Sequence, residues 1–251
     1  MDSSPAPAGT FADGTAAPLT ALDAYGPSDE LAAAYERDGV VLVRGLFSPD
    51  DLARIREELA AHMTRTVPHL TRDVHFEADG ETVRVANELQ RYAPFFADLL
   101  ASPRQTDLVE SVTGWRPQPF YAEYFAKQPH GSVAQPHQDS AFEHVEPRQY
   151  VHLWIALDDI TPDMGPLRLW LGSNRFGVFP HDRRDFGKFQ HLSPETVAGF
   201  DFPVAEGIAE AGDLFLLDTG LVHASTPNTS SRPRPSLALA YRGVGSVHHD
   251  S

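Results

Sequence analysis

No cysteine occurs in the 251 residues, so the chain has neither a disulfide framework nor thiol chemistry. Basic side chains are scarce: 20 Lys and Arg stand against 35 Asp and Glu, a formal net charge of -15. That balance excludes the basic footprint of a nucleic-acid binder and favours solubility. No apolar run approaches the eighteen or so residues of a membrane span. The opening Met1-Asp2-Ser3-Ser4-Pro5 has neither the basic nor the apolar region of a secretory signal. A cytoplasmic protein, monomer or homodimer, that engages a small molecule but no nucleic acid or membrane is the expectation.

Glycine and proline, by contrast, are plentiful at 18 and 21. They favour short strands and turns over long helices. Residues 1–20 are mostly Ala, Pro, Gly, Ser and Thr, too poor in large apolar groups to fold alone, and read as a disordered leader, leaving 21–251 as one domain. Ser28 with Asp29 and Glu30 opens a helix running to Asp38, which Gly39 ends. Val40–Phe47 is a β-branched strand, and Ser48-Pro49 starts the next helix, with Leu52, Ile55, Leu59 and Met63 at helical spacing. A third helical stretch spans 94–112, ended by Gly114, so the helices form a buttress over 28–114. From Phe120 onward short strands follow, the last being Leu237–Tyr241. Helices first and strands afterwards predict a mainly β fold with N-terminal helices, a double-stranded β-helix (jelly-roll, cupin-like) core.

The chemistry is carried by His137-Gln138-Asp139, a distant His223, and Arg234-Pro235-Ser236. On a strand, residues i and i+2 share a face, so His137 and Asp139 can offer an imidazole and a carboxylate to one metal. A second histidine, His223, completes a two-histidine, one-carboxylate set, which suits non-haem Fe(II) with positions left open for a cosubstrate and O2. Eleven residues after His223, Arg234 is suited to a bidentate pair with the far carboxylate of 2-oxoglutarate, and Ser236 shares its face. Arg232 is the competing arginine. Zinc also accepts such ligands, as in a cupin-like isomerase, but seldom needs a carboxylate-binding arginine just after its last ligand.

These residues, with Tyr35–Phe47, Trp154-Ile155-Ala156-Leu157-Asp158-Asp159, Gly165-Pro166-Leu167 and Leu171-Gly172-Ser173-Asn174, make the chain resemble the phytanoyl-CoA dioxygenase family of Fe(II)/2-oxoglutarate-dependent oxygenases, from about residue 31 to 242. The resemblance implies His137, Asp139 and His223 as iron ligands and Arg234 as the 2-oxoglutarate anchor. It also places Trp154 near the cosubstrate and Arg84 where some relatives carry a basic residue for it. Tyr124 and Lys127 precede the metal motif as candidates for the pocket wall; Gln135 and Gln138 flank the ligands as candidate outer hydrogen-bonders. Asn174 departs from the family's usual histidine. A retained Asp139 argues for oxygen transfer, since related halogenases carry a small residue there. The implied activity is hydroxylation or another oxidation of a C–H bond of a small molecule, with release of succinate and CO2, compatible with secondary-metabolite biosynthesis. A non-oxidative metal enzyme of the same fold and a binding protein without turnover are the alternatives. His130, His144, His181, His191, His248 and His249 read as solvated, as does the basic stretch around Arg175, Arg183, Arg184 and Lys188.

Overall fold

The computed structural model describes residues 16–24, 28–182 and 190–249. Helices are Ser28–Asp38 (α1), Pro49–Arg65 (α2), Leu89–Tyr92 (α3), Pro94–Ala101 (α4), Pro103–Thr113 (α5) and Pro194–Ala198 (α6). Strands in the first half are Ala21–Asp23 (β1), Val40–Arg44 (β2), Val74–Phe76 (β3), Val83–Ala86 (β4), Pro117–Lys127 (β5), His144–Glu146 (β6) and Tyr150–Ala156 (β7). Those that follow are Leu167–Trp170 (β8), His181–Asp182 (β9), His191–Leu192 (β10), Val204–Gly207 (β11), Leu214–Asp218 (β12), His223–Ser225 (β13), Arg234–Gly243 (β14) and Val247–His249 (β15).

Eight strands form the main sheet in the order β1-β2-β12-β7-β14-β5-β4-β3; a smaller sheet runs β11-β8-β13. Strand β7 is buried on both faces, as its two-sided apolar composition requires. Odd-numbered Leu153 and Ile155 join Leu237, Leu239 and the helix residues Leu31, Ile55 and Phe96 in one cluster. Even-numbered Trp154 and Ala156 join Ala238 and the small-sheet residues Leu167 and Leu169 in a second. The main sheet therefore has a helix-covered outer face and an inner face closed by the small sheet. This is a double-stranded β-helix with a helical buttress.

Several boundaries differ from the sequence reading. The stretch 94–112 is two helices, α4 and α5, because Ser102 precedes Pro103 and is held extended at ψ 131. Strand β2 stops at Arg44. Strand β14 covers ten residues rather than five, and β15 follows it. Most of the leader, residues 1–15, lies outside the described residues, as do the Ser28 side chain and residues 183–189 of the basic stretch. The rest of the leader packs: the Ala17 amide donates to Val204 O (2.7 Å), Thr20 O accepts from Leu42 (3.0 Å), and Ala17 and Leu19 touch the inner cluster. Residues 17–20 of that leader thus pack on the domain. His248 lies in β15, pairs with Glu143 at 2.5 Å and meets the Phe120 ring edge to face, so it is held rather than free in solvent.

The start of α2 follows the capping rule closely. Ser48 Oγ accepts from the Asp51 amide (3.2 Å), while Asp51 Oδ2 accepts from the Ser48 amide (2.9 Å). Ser48→Ala is expected to lower stability by about 1 kcal/mol, seen as a melting temperature lower by roughly 2–4 °C for a chain of this size. An unchanged melting curve would mean the cap contributes nothing to α2.

Candidate metal centre

His137 and His223 are brought together by backbone pairing. Each donates its amide to the other's carbonyl at 2.9 Å, an isolated antiparallel bridge at the end of β13. Residues opposed in such a bridge point their side chains to one side, and the two rings stand 4.2 Å apart between centroids. Asp139 is not on a strand, which corrects the sequence reading. It begins a short 3-10 turn, Asp139–Ala141, after an extended Gln138 at φ -124 and ψ 129. That one extended residue is enough to return Asp139 to the His137 side. Ser140 ties the turn down, its amide to Thr219 O and its hydroxyl to Thr219 Oγ1, at 2.9 and 2.8 Å.

One ligand atom from each of His137, Asp139 and His223 lies within 4.8 Å of the others. Asp139 Oδ1 is 3.5 Å from His137 Nε2 and 3.7 Å from His223 Nε2. Each imidazole uses Nδ1 on a backbone carbonyl, His137 on Gln135 O at 2.6 Å and His223 on Leu221 O at 3.0 Å. A proton held at Nδ1 leaves the Nε2 lone pair free for a metal, and a backbone acceptor fixes the ring plane. Burial pushes the His223 imidazole down to about 4, so it stands neutral at physiological pH. Although burial opposes its charge, Asp139 is held well below the usual carboxylate range by His223 and by bonds from His137 and His152. A neutral His223 imidazole, a His137 ring whose Nδ1 is committed to a backbone carbonyl, and an ionised carboxylate make a ligand set.

His152 was not anticipated as a site residue. It lies on the inner face of β7, with Nδ1 3.2 Å from Asp139 Oδ2. Its Nε2 faces the hydroxyls of Tyr121 (3.2 Å) and Tyr150 (3.1 Å), which also bond each other. Asp139 is therefore oriented through the oxygen it does not turn toward the two histidines. A histidine at an inward position of an otherwise apolar strand was the available signal.

At the far end of the inner face, Arg234 and Lys127 sit directly opposite each other on β14 and β5. Arg234 is 4% exposed, donates NH1 to Gly165 O (2.6 Å), and lies with its guanidinium carbon 5.0 Å from the Trp154 ring centre. Its Nε and the Ser236 hydroxyl are buried and have no hydrogen-bond partner among the described residues. Lys127 donates to Ser225 Oγ (2.8 Å) and Ser132 O (3.3 Å), and among the described residues no carboxylate pairs with it. Burial, then the charges of Arg234 and Arg84, lower its ammonium to about 7, with Glu77 opposing. Two buried cations and an orphaned hydroxyl are the donor set of an anion site. Arg232 points away, its side chain 60% exposed and 3.6 Å from Asp158.

Other sequence candidates fall elsewhere. Tyr124 pairs with Leu237 and packs on the helix-side cluster, opposite to the metal face, because β5 alternates; it does not line the site. Arg84 is half-buried on β4 and acts on Lys127 through its charge. Gln135 contributes its carbonyl rather than its side chain. The Gln138 amide side chain instead clamps Gly177 O, Gly220 O and the Phe179 amide (2.8, 2.6 and 2.7 Å), while its own backbone N–H donates to His181 Nε2 at 3.0 Å. His181 is thus engaged rather than solvated. Asn174, the departure from the family pattern, donates to Asp218 Oδ2 at 3.0 Å and so braces the turn that delivers His223.

Known proteins resemble this chain over most of its length. The sequence profile of phytanoyl-CoA dioxygenase (PhyH) matches residues 35–236. L-proline trans-4-hydroxylase of Streptomyces griseoviridis is 27% identical over 230 residues, 84% of each chain. Ectoine dioxygenase of Sphingopyxis alaskensis is 26% identical over 237 residues, 85% of this chain and 75% of that one. In three dimensions, EctD from S. alaskensis with 2-oxoglutarate and 5-hydroxyectoine superposes with a TM-score of 0.73 at 22% identity, covering 86% of this chain and 76% of that one.

Proposed function

The chain belongs to the phytanoyl-CoA dioxygenase family, and from that premise we propose that it is an Fe(II)/2-oxoglutarate-dependent oxygenase that oxidises a C–H bond of a small molecule. The observation that carries the reading is the His137, Asp139, His223 cluster, with both Nδ1 atoms occupied and both Nε2 atoms turned to the same carboxylate oxygen.

His137 and His223 would hold the iron through Nε2, and Asp139 through a carboxylate oxygen. Bound there, iron supplies the one-electron and O2 chemistry that no side chain can. The residues of the chain bind and orient. Arg234 Nε and Ser236 Oγ, both lacking partners, would take the distal carboxylate of 2-oxoglutarate, with Trp154 forming the wall beside the guanidinium. Lys127 adds a second positive charge opposite Arg234. His152 keeps Asp139 in one orientation and ionised. The retained carboxylate at 139 fits oxygen transfer rather than transfer of a halide. With Fe(II), ascorbate and air, the protein is expected to convert 2-oxoglutarate to succinate. Absence of succinate under every substrate condition, with cosubstrate bound, would leave a binding protein of the same fold.

Lys127 gives this site a pH dependence. The free ammonium titrates near 7, held down by burial, Arg234 and Arg84 against Glu77. A carboxylate bound beside it favours the charged form and raises that value. Above about pH 7 binding must then take up a proton, so affinity for 2-oxoglutarate falls as pH rises, by up to about tenfold per unit. Calorimetry with an inert divalent ion between about pH 7 and 9 measures this, and Lys127→Met should flatten the slope. An equally steep slope in that variant would assign the proton elsewhere.

A further inference from the structure

We propose that Glu123 recognises the substrate, and that the substrate is a small molecule carrying a protonated amine. The inference rests on the oxygenase reading and adds the chemical class of the substrate. Glu123 is on β5 opposite Ala238, which in turn faces Trp154 on β7. It shares the inner face of the main sheet with Lys127, Arg234, Ser236 and Trp154, two alternations along β5 from the lysine. The next inward residue of that strand is Tyr121, which belongs to the hydrogen-bond network around His152 and Asp139. Glu123 therefore stands between the cationic end of the site and the metal cluster.

The neighbouring network is complete without it. His152 spends one ring nitrogen on Asp139 and the other on two tyrosine hydroxyls, which also bond each other. Among the described residues none donates a hydrogen bond to the Glu123 carboxylate. Burial first, and then the charges of Asp139, Glu143 and Glu88 against the opposing pull of His152, push its carboxyl up to about 7. A half-buried carboxylate on the inner face, with no donor among the described residues turned to it, has room for a partner from outside the chain.

That partner is not the cosubstrate. 2-Oxoglutarate is a dianion, and its complement is the end of the face that carries Arg234 and Lys127. The charged residues of the inner face thus change sign along its length, positive where the cosubstrate's acid belongs and negative toward the metal. A ligand lying over the negative part is matched by a cation with N–H donors, and a protonated amine supplies both. Pairing would return Glu123 to its ionised form, since an opposite charge within a few ångströms favours it.

The test uses the whole protein with 2-oxoglutarate bound, on free amino acids, the amines formed by their decarboxylation, and the N-acetyl derivative of each. Binding is followed by calorimetry with an inert divalent ion, and stimulation of succinate formation is followed with Fe(II). At least one amine is expected to bind and stimulate where its N-acetyl partner does not. Glu123→Gln should weaken that amine by roughly 30-fold or more, the low end for truncating a buried charge pair. Glu123→Asp, which keeps the charge, should retain the preference for amine over N-acetyl form. No preference in the natural protein, or a preference that survives in Glu123→Gln, overturns the assignment. Loss of 2-oxoglutarate binding in Glu123→Gln marks a structural residue and also overturns it. Failure of the natural protein to bind 2-oxoglutarate at all is a different result, since it removes the oxygenase reading itself.

Discussion

His137→Ala, Asp139→Ala and His223→Ala should each reduce turnover by more than about 100-fold, the upper end of the loss when only an outer partner of a metal ligand is removed. Each removes one of three protein donors, and the remaining two cannot define the facial geometry that leaves adjacent positions open. The variants should not be equivalent in other respects. His137 and His223 exchange backbone bonds that survive truncation of either side chain, so both alanine variants should keep the fold. Asp139→Ala also strands His152, whose Nδ1 loses its partner inside a buried network with Tyr121 and Tyr150. It should therefore cost stability as well as activity, by about 1–3 kcal/mol for an orphaned buried donor. Asp139→Glu keeps the charge but displaces the oxygen beyond the sub-ångström tolerance of such sites, and should also lose turnover. Anaerobic Fe(II) titration, succinate formation and thermal melts of the four variants check this. Near-normal activity in any of the three alanine variants would remove that residue from the ligand set.

The metal site was legible because its spacing is a local property. His137 and Asp139 are separated by one residue, and an extended Gln138 suffices to align them whether or not a strand continues. Arg234 and Ser236 lie on a true strand, so alternation alone puts both on one face. Tyr124 failed for the same reason that they succeeded. Alternation along β5 turns it to the helices while Glu123 and Lys127 face inward, and the parity of β5 is set by its register with β14, which no local pattern reveals. His152 and the two tyrosines were invisible for a related reason: their meaning depends on β5, β7 and the Asp139 turn meeting in space. The break at Pro103, by contrast, was legible and should have divided the helical stretch. The packing of Ala17 and Leu19 was not, since two modest apolar groups in a polar leader reach the core only by lying along β2 and β11.

Arg234→Leu should weaken 2-oxoglutarate binding by about 2–5 kcal/mol, the range for truncating a buried charge pair. In affinity this is roughly 30-fold to several thousand-fold. Arg232→Leu should change it by at most about 1 kcal/mol, as expected for an exposed ion pair such as that with Asp158. The two arginines are separated by one residue, so a flexible approach to β14 could in principle let them trade places. The structure argues against exchange. Arg234 is fixed by Gly165 O and lies over Trp154, with Lys127 opposite and an unpartnered Nε left to bind. Arg232 precedes the strand, and its backbone carbonyl is held by Asn228 at 2.8 Å while its side chain runs out to solvent. Titrating 2-oxoglutarate into each variant with an inert divalent ion in place of Fe(II) separates binding from chemistry. The double variant adds a control, because Arg232→Leu placed on Arg234→Leu should cost nothing further if Arg232 is not a reserve anchor. A damaging Arg232→Leu beside a silent Arg234→Leu would mean that the orphaned donors at Arg234 and Ser236 serve some group other than the cosubstrate.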